Sequence, residues 1–549
     1  MRTKNIFIIT FLLLLGLLQS CNEFLVEDPR GRLYSSEFYT TSVESAETAI
    51  NGLYNLYTNS YSGSLSGVNT YGITPAAQRY ISYLTDVTGE DIWVRNTGNS
   101  SRQTLDRYTY GPDNANIEFM YFSFYKGIKE ANAIIYAMRD EKTDFSREFD
   151  SEEQAKAFQN RILGEALTVR AYLYFQIVRF WGDVAVIDKE IVIGEDFNVS
   201  RQNFAEVYRD VIISDLLEVI ENNYLPTQHS DGLNTVTEGG AKVLLADVYL
   251  TLAGRVYDKL NGVIDDSRNE LLQKCIALCK DLDGNYGYDL YPNFKDVFTV
   301  KGNYSSESVW EVQTETNQFG QETMPNKKND NVIGFYPYTN ELTGNTEYID
   351  GYGRYTMSDQ LYDLYNKQYD TRLENVVDIK NSYKIEERAG DTIYTRVSMK
   401  YCDSTIIVRQ MYDSKKSMVA WKLYRFATVL LMWAEAENEL NGPTADAISA
   451  LERVRRRAYR GNEDKIEASP GDPNAFREAV WVERRKELYS EGYRWFDLVR
   501  TGTLDKVALE PAGYNYNQYP IVEDKHYLYP IPQIAFELNP LLGDQNQGW

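Results

Sequence analysis

ERRKELYSEGYRWFDLVRTG, residues 483–502, alternates acids and arginines around an aromatic pair. Glu483, Glu487 and Glu491 recur every four residues, so on a helix their carboxylates share one face. Paired carboxylates invite comparison with a glycosidase, in which one carboxyl must stay protonated near neutral pH. Arg484, Arg485, Arg494 and Arg500 argue against that use. A guanidinium beside a carboxyl favours its charged form and lowers its pKa, the reverse of what a general acid requires. The stretch therefore reads as a salt-linked joint between two helices, with Trp495 and Phe496 packed beneath it.

Working outward, the neighbouring segments are helical too. Residues 421–440, 444–457, 473–491 and 494–499 carry apolar residues at helical spacing. Asn441, Gly442 and Pro443 stop the first of these, and Thr444 can cap the second, which predicts a short-loop helical hairpin. Towards the N-terminus, Thr41 or Ser42 can cap a helix over 44–57, and further helices are predicted at 116–138, 151–180, 204–220, 238–252 and 269–282. Several pairs have the dimensions of tetratricopeptide-like hairpins, although no strict repeat runs through the chain. The expected fold class is all-α, built of stacked helical hairpins with minor β hairpins. Its scaffold covers about 42–57, 116–282 and 421–500.

Between these lie long irregular stretches. Residues 63–110 and 284–355 are rich in Gly, Ser, Thr, Asn and Tyr, with strands predicted at 308–314 and 406–411 and a hairpin across Gly390 and Asp391. The tail 514–549 carries prolines throughout and reads as extended. Connections this long exceed ordinary linkage and favour binding roles.

The first residues, MRTKNIFIITFLLLLGLLQSC, set Arg2 and Lys4 before an apolar run too short to span a bilayer comfortably. That is a secretory signal over 1–20, and Leu18-Gln19-Ser20-Cys21 resembles the bacterial lipobox, which implies a lipid on Cys21. The remainder, 21–549, reads as a single domain. With 80 acidic against 57 basic side chains, a net charge of −23 disfavours nucleic acid and polyanions. Cys275 and Cys279 stand four apart in an apolar run and read as small buried hydrophobes, not as a disulfide or metal pair. His229 and His526 are the only histidines, and no metalloprotease, nucleophile-elbow or phosphate-loop motif occurs. No catalytic residue, cofactor or metal site is expected.

Four segments in a fixed order resemble the SusD/RagB family. They are LGEALTVRAYLYFQIVRFWGDVAVI at 163–187, LLMWAEAENELNGPTADAISALERVRRRA at 430–458, the stretch at 483–502 and YLYPIPQIAFELNPLLGDQNQGW at 527–549. The resemblance implies a lipid-anchored protein on the extracellular face of the outer membrane. It implies a lid on a SusC-like TonB-dependent transporter that captures oligosaccharide or polysaccharide, with peptide or another nutrient as the alternative cargo. A surface glycosidase is the weaker rival. Regions of about 60–110 and 284–400 match the family only loosely, which is where its ligand contacts vary.

A sugar presents C–H groups that pack on an aromatic face and hydroxyls that need short polar partners. Two places offer both. Trp93 lies close to Asp91, Arg95 and Asn96, and Tyr336, Tyr338 and Asn340 are followed by Tyr348 and Tyr352. These are the expected ligand-binding residues. Scaffold packing or contact with the transporter is the competing reading for each aromatic.

Overall fold

The structure is a computed structural model. It describes residues 38–58, 77–94, 100–189, 198–228, 235–312, 336–339, 346–349, 355–377, 384–388, 391–394, 396, 398, 400–401, 419–507 and 521–549. Cys21, Cys402, His229 and the strand expected at 406–411 lie outside them.

Helices dominate. The longest, Glu152–Trp181, starts where the Ser151 hydroxyl accepts the Gln154 N–H and ends at Gly182, whose φ of 72° lets the chain leave in the left-handed region. It packs along Ala115–Arg139, which Asn114 caps through the N–H groups of Asn116 and Ile117. Their close approach depends on Gly127, where a Cβ would come within 2.7 Å of Leu173 Cδ1. A second stack runs Glu238–Leu252, Arg268–Asn285, Phe426–Asn441 and Ala445–Ala458, each against the next. The predicted caps hold: Ser42 accepts the Ser45 N–H, and Thr444 accepts the Ala447 N–H. Cys275 and Cys279 are buried and unpaired as thiols. The expected helical hairpins are thus present, and the fold is predominantly α.

Four local expectations are corrected. Residues 421–425 are not helical; Trp421–Arg425 is a strand paired antiparallel with Ser308–Val312, and the helix begins at Phe426. Aromatic and β-favouring side chains there are buried on both faces, which a helical periodicity count misreads. The helix beginning at Pro473 stops at Glu487, and a turn with Ser490 at φ 60° and Gly492 at φ 87° leads into Arg494–Thr501. The stretch 63–110 is less irregular than expected, with helices Ala77–Thr85 and Ser100–Asp106 flanking strand Ile92–Val94. The tail carries the helix Gln533–Leu538. The expected 204–220 helix is present but contains a π turn over Tyr208–Ile213.

The tail is not draped loosely. Asn546 donates to the carbonyls of Trp181 (2.9 Å) and Tyr529 (2.8 Å), and Trp549 stacks on Tyr110 at 5.1 Å between ring centres. Tyr529 in turn packs against Phe180 and Trp495, so both halves of the chain meet in one aromatic cluster. Among the described residues no helix is long and apolar enough to cross a membrane.

Candidate functional site

The acid–arginine stretch forms a buried joint. Arg425, at the end of its strand, reaches Glu307 (2.7 Å), Glu487 (2.6 Å) and Glu491 (2.8 Å). Arg372 is held by Asp370 (2.7 Å), Glu483 (2.6 Å) and Glu487 (2.9 Å), and Arg457 bridges Glu307 and Glu487. Lys400 bonds Glu491 together with the carbonyls of Glu487 and Tyr489. Burial alone would raise these carboxyl pKa values, but the surrounding cations win. Arg372, Lys486 and Arg455 bring Glu483 down to about 2, and Glu487 and Glu491 are also lowered. Carboxylates that stay ionised in this way cannot donate a proton near neutrality, so the joint is structural.

The other polar motifs resolve in the same way. Glu435 pairs with Arg500, and Glu439 with Arg477 and Arg268. Arg170 pairs with Asp215, while Arg179 lies between the Phe175 and Phe496 rings beside Asp247. Asp183 accepts the Phe204 N–H. Each bridges helices. Among the described residues no group of His, Cys, Asp and Glu is placed to hold a metal ion.

Trp93 lies elsewhere, on the short strand Ile92–Val94. This strand pairs antiparallel with Tyr355–Met357, so Trp93 faces Thr356. Ile92 and Val94 are buried and Trp93 is partly exposed, as period-two alternation requires when only one face meets the core. The strand is held at both ends. The Asp91 carbonyl accepts the Ser358 N–H (2.9 Å), and the Val94 N–H donates to Asp106 Oδ2 (3.2 Å).

Asp91 itself is buried, and its carboxylate bonds Arg485 and lies 3.8 Å from Arg494. Glu90 meets the same two arginines. The structure therefore places Asp91 in the arginine joint, two residues from Trp93, where it positions the strand from beneath.

The second predicted group lies on a hairpin. Tyr336–Thr339 pairs with Thr346–Ile349, setting Tyr338 opposite Glu347 and Tyr348 opposite Pro337. Arg95, Asn96, Asn340 and Tyr352 fall outside the described residues. Strand Tyr355–Met357 follows this hairpin in sequence, and its pairing with Ile92–Val94 sets Thr356 opposite Trp93. Sequence reasoning missed Thr356 and Ser358 as partners of the Trp93 strand. The available signal was the run Tyr355-Thr356-Met357 just before Ser358, which caps the next helix through the Leu361 N–H.

Comparison with known proteins gives one consistent result. The SusD family model matches residues 306–549, and a second, described as starch-binding associating with outer membrane, matches residues 64–250. SusD-like protein P25 of Formosa agariphila is 23% identical across 99% of this chain and 98% of its own length. A SusD homolog from Bacteroides thetaiotaomicron superposes with a TM-score of 0.72 at 22% identity, covering 95% of this chain and all of that one. Surface glycan-binding protein A from the same organism, solved in complex with laminarihexaose, gives 0.67 at 20% identity over 92% of this chain and all of its own. The fold is that of these SusD-like structures, and the two matched segments account for most of the chain between residues 64 and 549. Across these two segments and in its fold the chain resembles the SusD/RagB family.

Proposed function

We propose that the chain is a cell-surface nutrient-binding lipoprotein that captures oligosaccharide or polysaccharide and delivers it to a SusC-like TonB-dependent transporter. The observation that carries this reading is the pairing of Ile92–Val94 with Tyr355–Met357, which sets a partly exposed tryptophan opposite Thr356, a few residues along the sequence from the tyrosine-rich hairpin. An aromatic face with hydroxyl-bearing neighbours suits the alternating C–H and O–H surfaces of a pyranose. The starch-binding description of the matching N-terminal model and the laminarihexaose complex of a structural relative support a glycan over other cargo. Trp93, Tyr336, Tyr338, Asn340, Tyr348 and Tyr352, with Arg95 and Asn96, form the proposed contact set, and Asp91 positions Trp93. The segment 21–549 acts as one unit, tethered by a lipid on Cys21 to the extracellular face of the outer membrane.

The test is a binding screen over soluble polysaccharides and peptides with the parent chain, Trp93→Ala and Tyr338→Ala. Glycan binding weakened in both variants is the expected result. A peptide as the sole ligand, or glycan binding untouched by either change, overturns it.

A further inference from the structure

Away from the Trp93 strand, a cleft of about 340 Å³ opens between Thr227, Gln228, Thr235 and Thr237, the turn at 286–288 and the turn leading into strand Ser308–Val312. It shares no lining residue with the pairing of Ile92–Val94 and Tyr355–Met357. Its walls include Thr227, Gln228, Tyr288, Tyr304, Ser306 and Trp310. Hydroxyls, one amide and aromatic rings dominate, and a volume of this size holds roughly one or two sugar rings by comparison with ordinary small-ligand pockets.

Both aromatic walls are fixed in place. On one side the Tyr286 and Tyr288 rings stack at 5.9 Å with only 5° between their planes, and the Tyr286 hydroxyl donates to Glu238 Oε1 at 2.7 Å. Tyr288 lies so close over Gly239 that a Cβ there would come within 2.2 Å of its hydroxyl oxygen. On the other side Tyr304 is 41% exposed and sits at φ 55°, a left-handed backbone that a bulky residue adopts only under constraint. The constraint is visible. The Tyr304 N–H donates to Glu311 Oε1 at 2.8 Å, and Glu311 is anchored by the buried Lys422, which also donates to the Gly302 carbonyl at 2.9 Å. A buried ion pair thus holds an exposed ring at the mouth of a hydroxyl-lined cleft.

Charge narrows the ligand. Among the described residues lining the cleft, Glu311 is the one with an ionisable acid, and Lys422 neutralises it. A uronic or sulfated sugar would find no basic partner among these described lining residues, whereas a neutral sugar would leave no charge stranded.

We propose that this cleft is a second sugar-binding site, specific for neutral pyranosides, with Tyr304 as its exposed stacking face and Thr227, Gln228 and Ser306 as hydroxyl partners. It gives the chain a second foothold on a glycan whichever residues hold ligand around Trp93, and two weak sites on one polymer raise its apparent affinity.

The test uses the full chain with maltose, cellobiose and laminaribiose at millimolar concentration, read by saturation-transfer NMR and titration. In a Trp93→Ala background at least one disaccharide still binds. Adding Tyr304→Ala weakens that residual binding about tenfold, the loss of one exposed aromatic contact. Tyr304→Phe keeps it within about twofold, since the ring and not the hydroxyl does the stacking. An unchanged thermal transition in Tyr304→Ala separates loss of contact from loss of fold. Binding indifferent to Tyr304→Ala overturns the proposal, as does complete loss of binding in Trp93→Ala alone or the absence of disaccharide binding to every form.

Discussion

The guanidinium of Arg425 meets the carboxylate of Glu491 through two parallel bonds, Nε to Oε2 and Nη2 to Oε1, both 2.8 Å. Neither side chain reaches solvent appreciably, and the pair joins the end of strand Trp421–Arg425 to the turn after the helix Pro473–Glu487. Arg425→Met leaves Glu307, Glu487 and Glu491 short of a cation in the interior. It is expected to destabilise the protein by about 3–5 kcal/mol in urea or thermal melts. A change below about 1 kcal/mol, within the range of exposed pairs, would show that the joint does not hold the fold.

Acid should loosen the same region. Against burial, the cations around Glu483 hold its pKa at about 2, and Arg484 with Arg500 does the same for Asp497. A carboxyl with a lowered folded pKa stabilises the fold fully above its unfolded value, near 4, and loses that contribution as pH falls towards 2. Melting temperature should therefore drop steeply between about pH 4.5 and 2. Asp497→Asn should start from a lower value at neutral pH and fall less over that window.

Asp106 should act in the opposite sense. Burial raises its pKa to about 7, with the Val94 N–H and Arg107 pulling the other way. The folded state then holds this proton more tightly than the unfolded chain, so the stabilisation is complete below about pH 4 and is lost as pH rises through 7. Asp106→Asn keeps an acceptor for the Val94 N–H without the charge. It should flatten the stability profile from pH 5 to 8, by roughly 1–4 kcal/mol. An unaltered slope would remove Asp106 as its source.

Trp93 and Asp91 should separate cleanly. Trp93 is partly exposed, so Trp93→Ala should weaken glycan binding about tenfold or more with little change in melting. Asp91 is buried against Arg485, so Asp91→Ala should lower stability by about 1–3 kcal/mol. Its effect on binding should follow from displacement of the strand. Equal binding loss with no stability loss for Asp91→Ala would return that carboxylate to the ligand set.

Asn546→Ala strips the two hydrogen bonds to the carbonyls of Trp181 and Tyr529 and is expected to cost about 1–3 kcal/mol. Limited proteolysis should then cut first within residues 533–549. Protection equal to the parent's would mean that the Trp549–Tyr110 stack secures the tail alone.

Much of this was legible in the sequence, and the exceptions have causes. Helix starts were marked by Ser42 and Thr444, whose hydroxyls act within one turn and so leave a local signature. The structural role of Glu483 and Glu487 followed from the arginines beside them, since charge pairing works through type as much as position. What escaped was non-local. Nothing near Trp421 announces that its partner is Val312, and a strand buried on both faces reads like a helix over a few residues. Asp91 was grouped with Trp93 because the two lie two residues apart in sequence, yet its partner Arg485 lies far along the chain. The cleft beside Tyr304 draws on separate stretches, none of which carries a motif of its own.

The pairing of Ile92–Val94 with Tyr355–Met357 also bears on the order of events during folding. A strand whose complement lies in the opposite half of the chain closes late, because a long loop must be ordered first. Until then its backbone edge is unpaired and the Trp93 ring has no strand beside it. The surface that carries Trp93 is in this sense a late product of folding, complete only once the two halves of the chain have met.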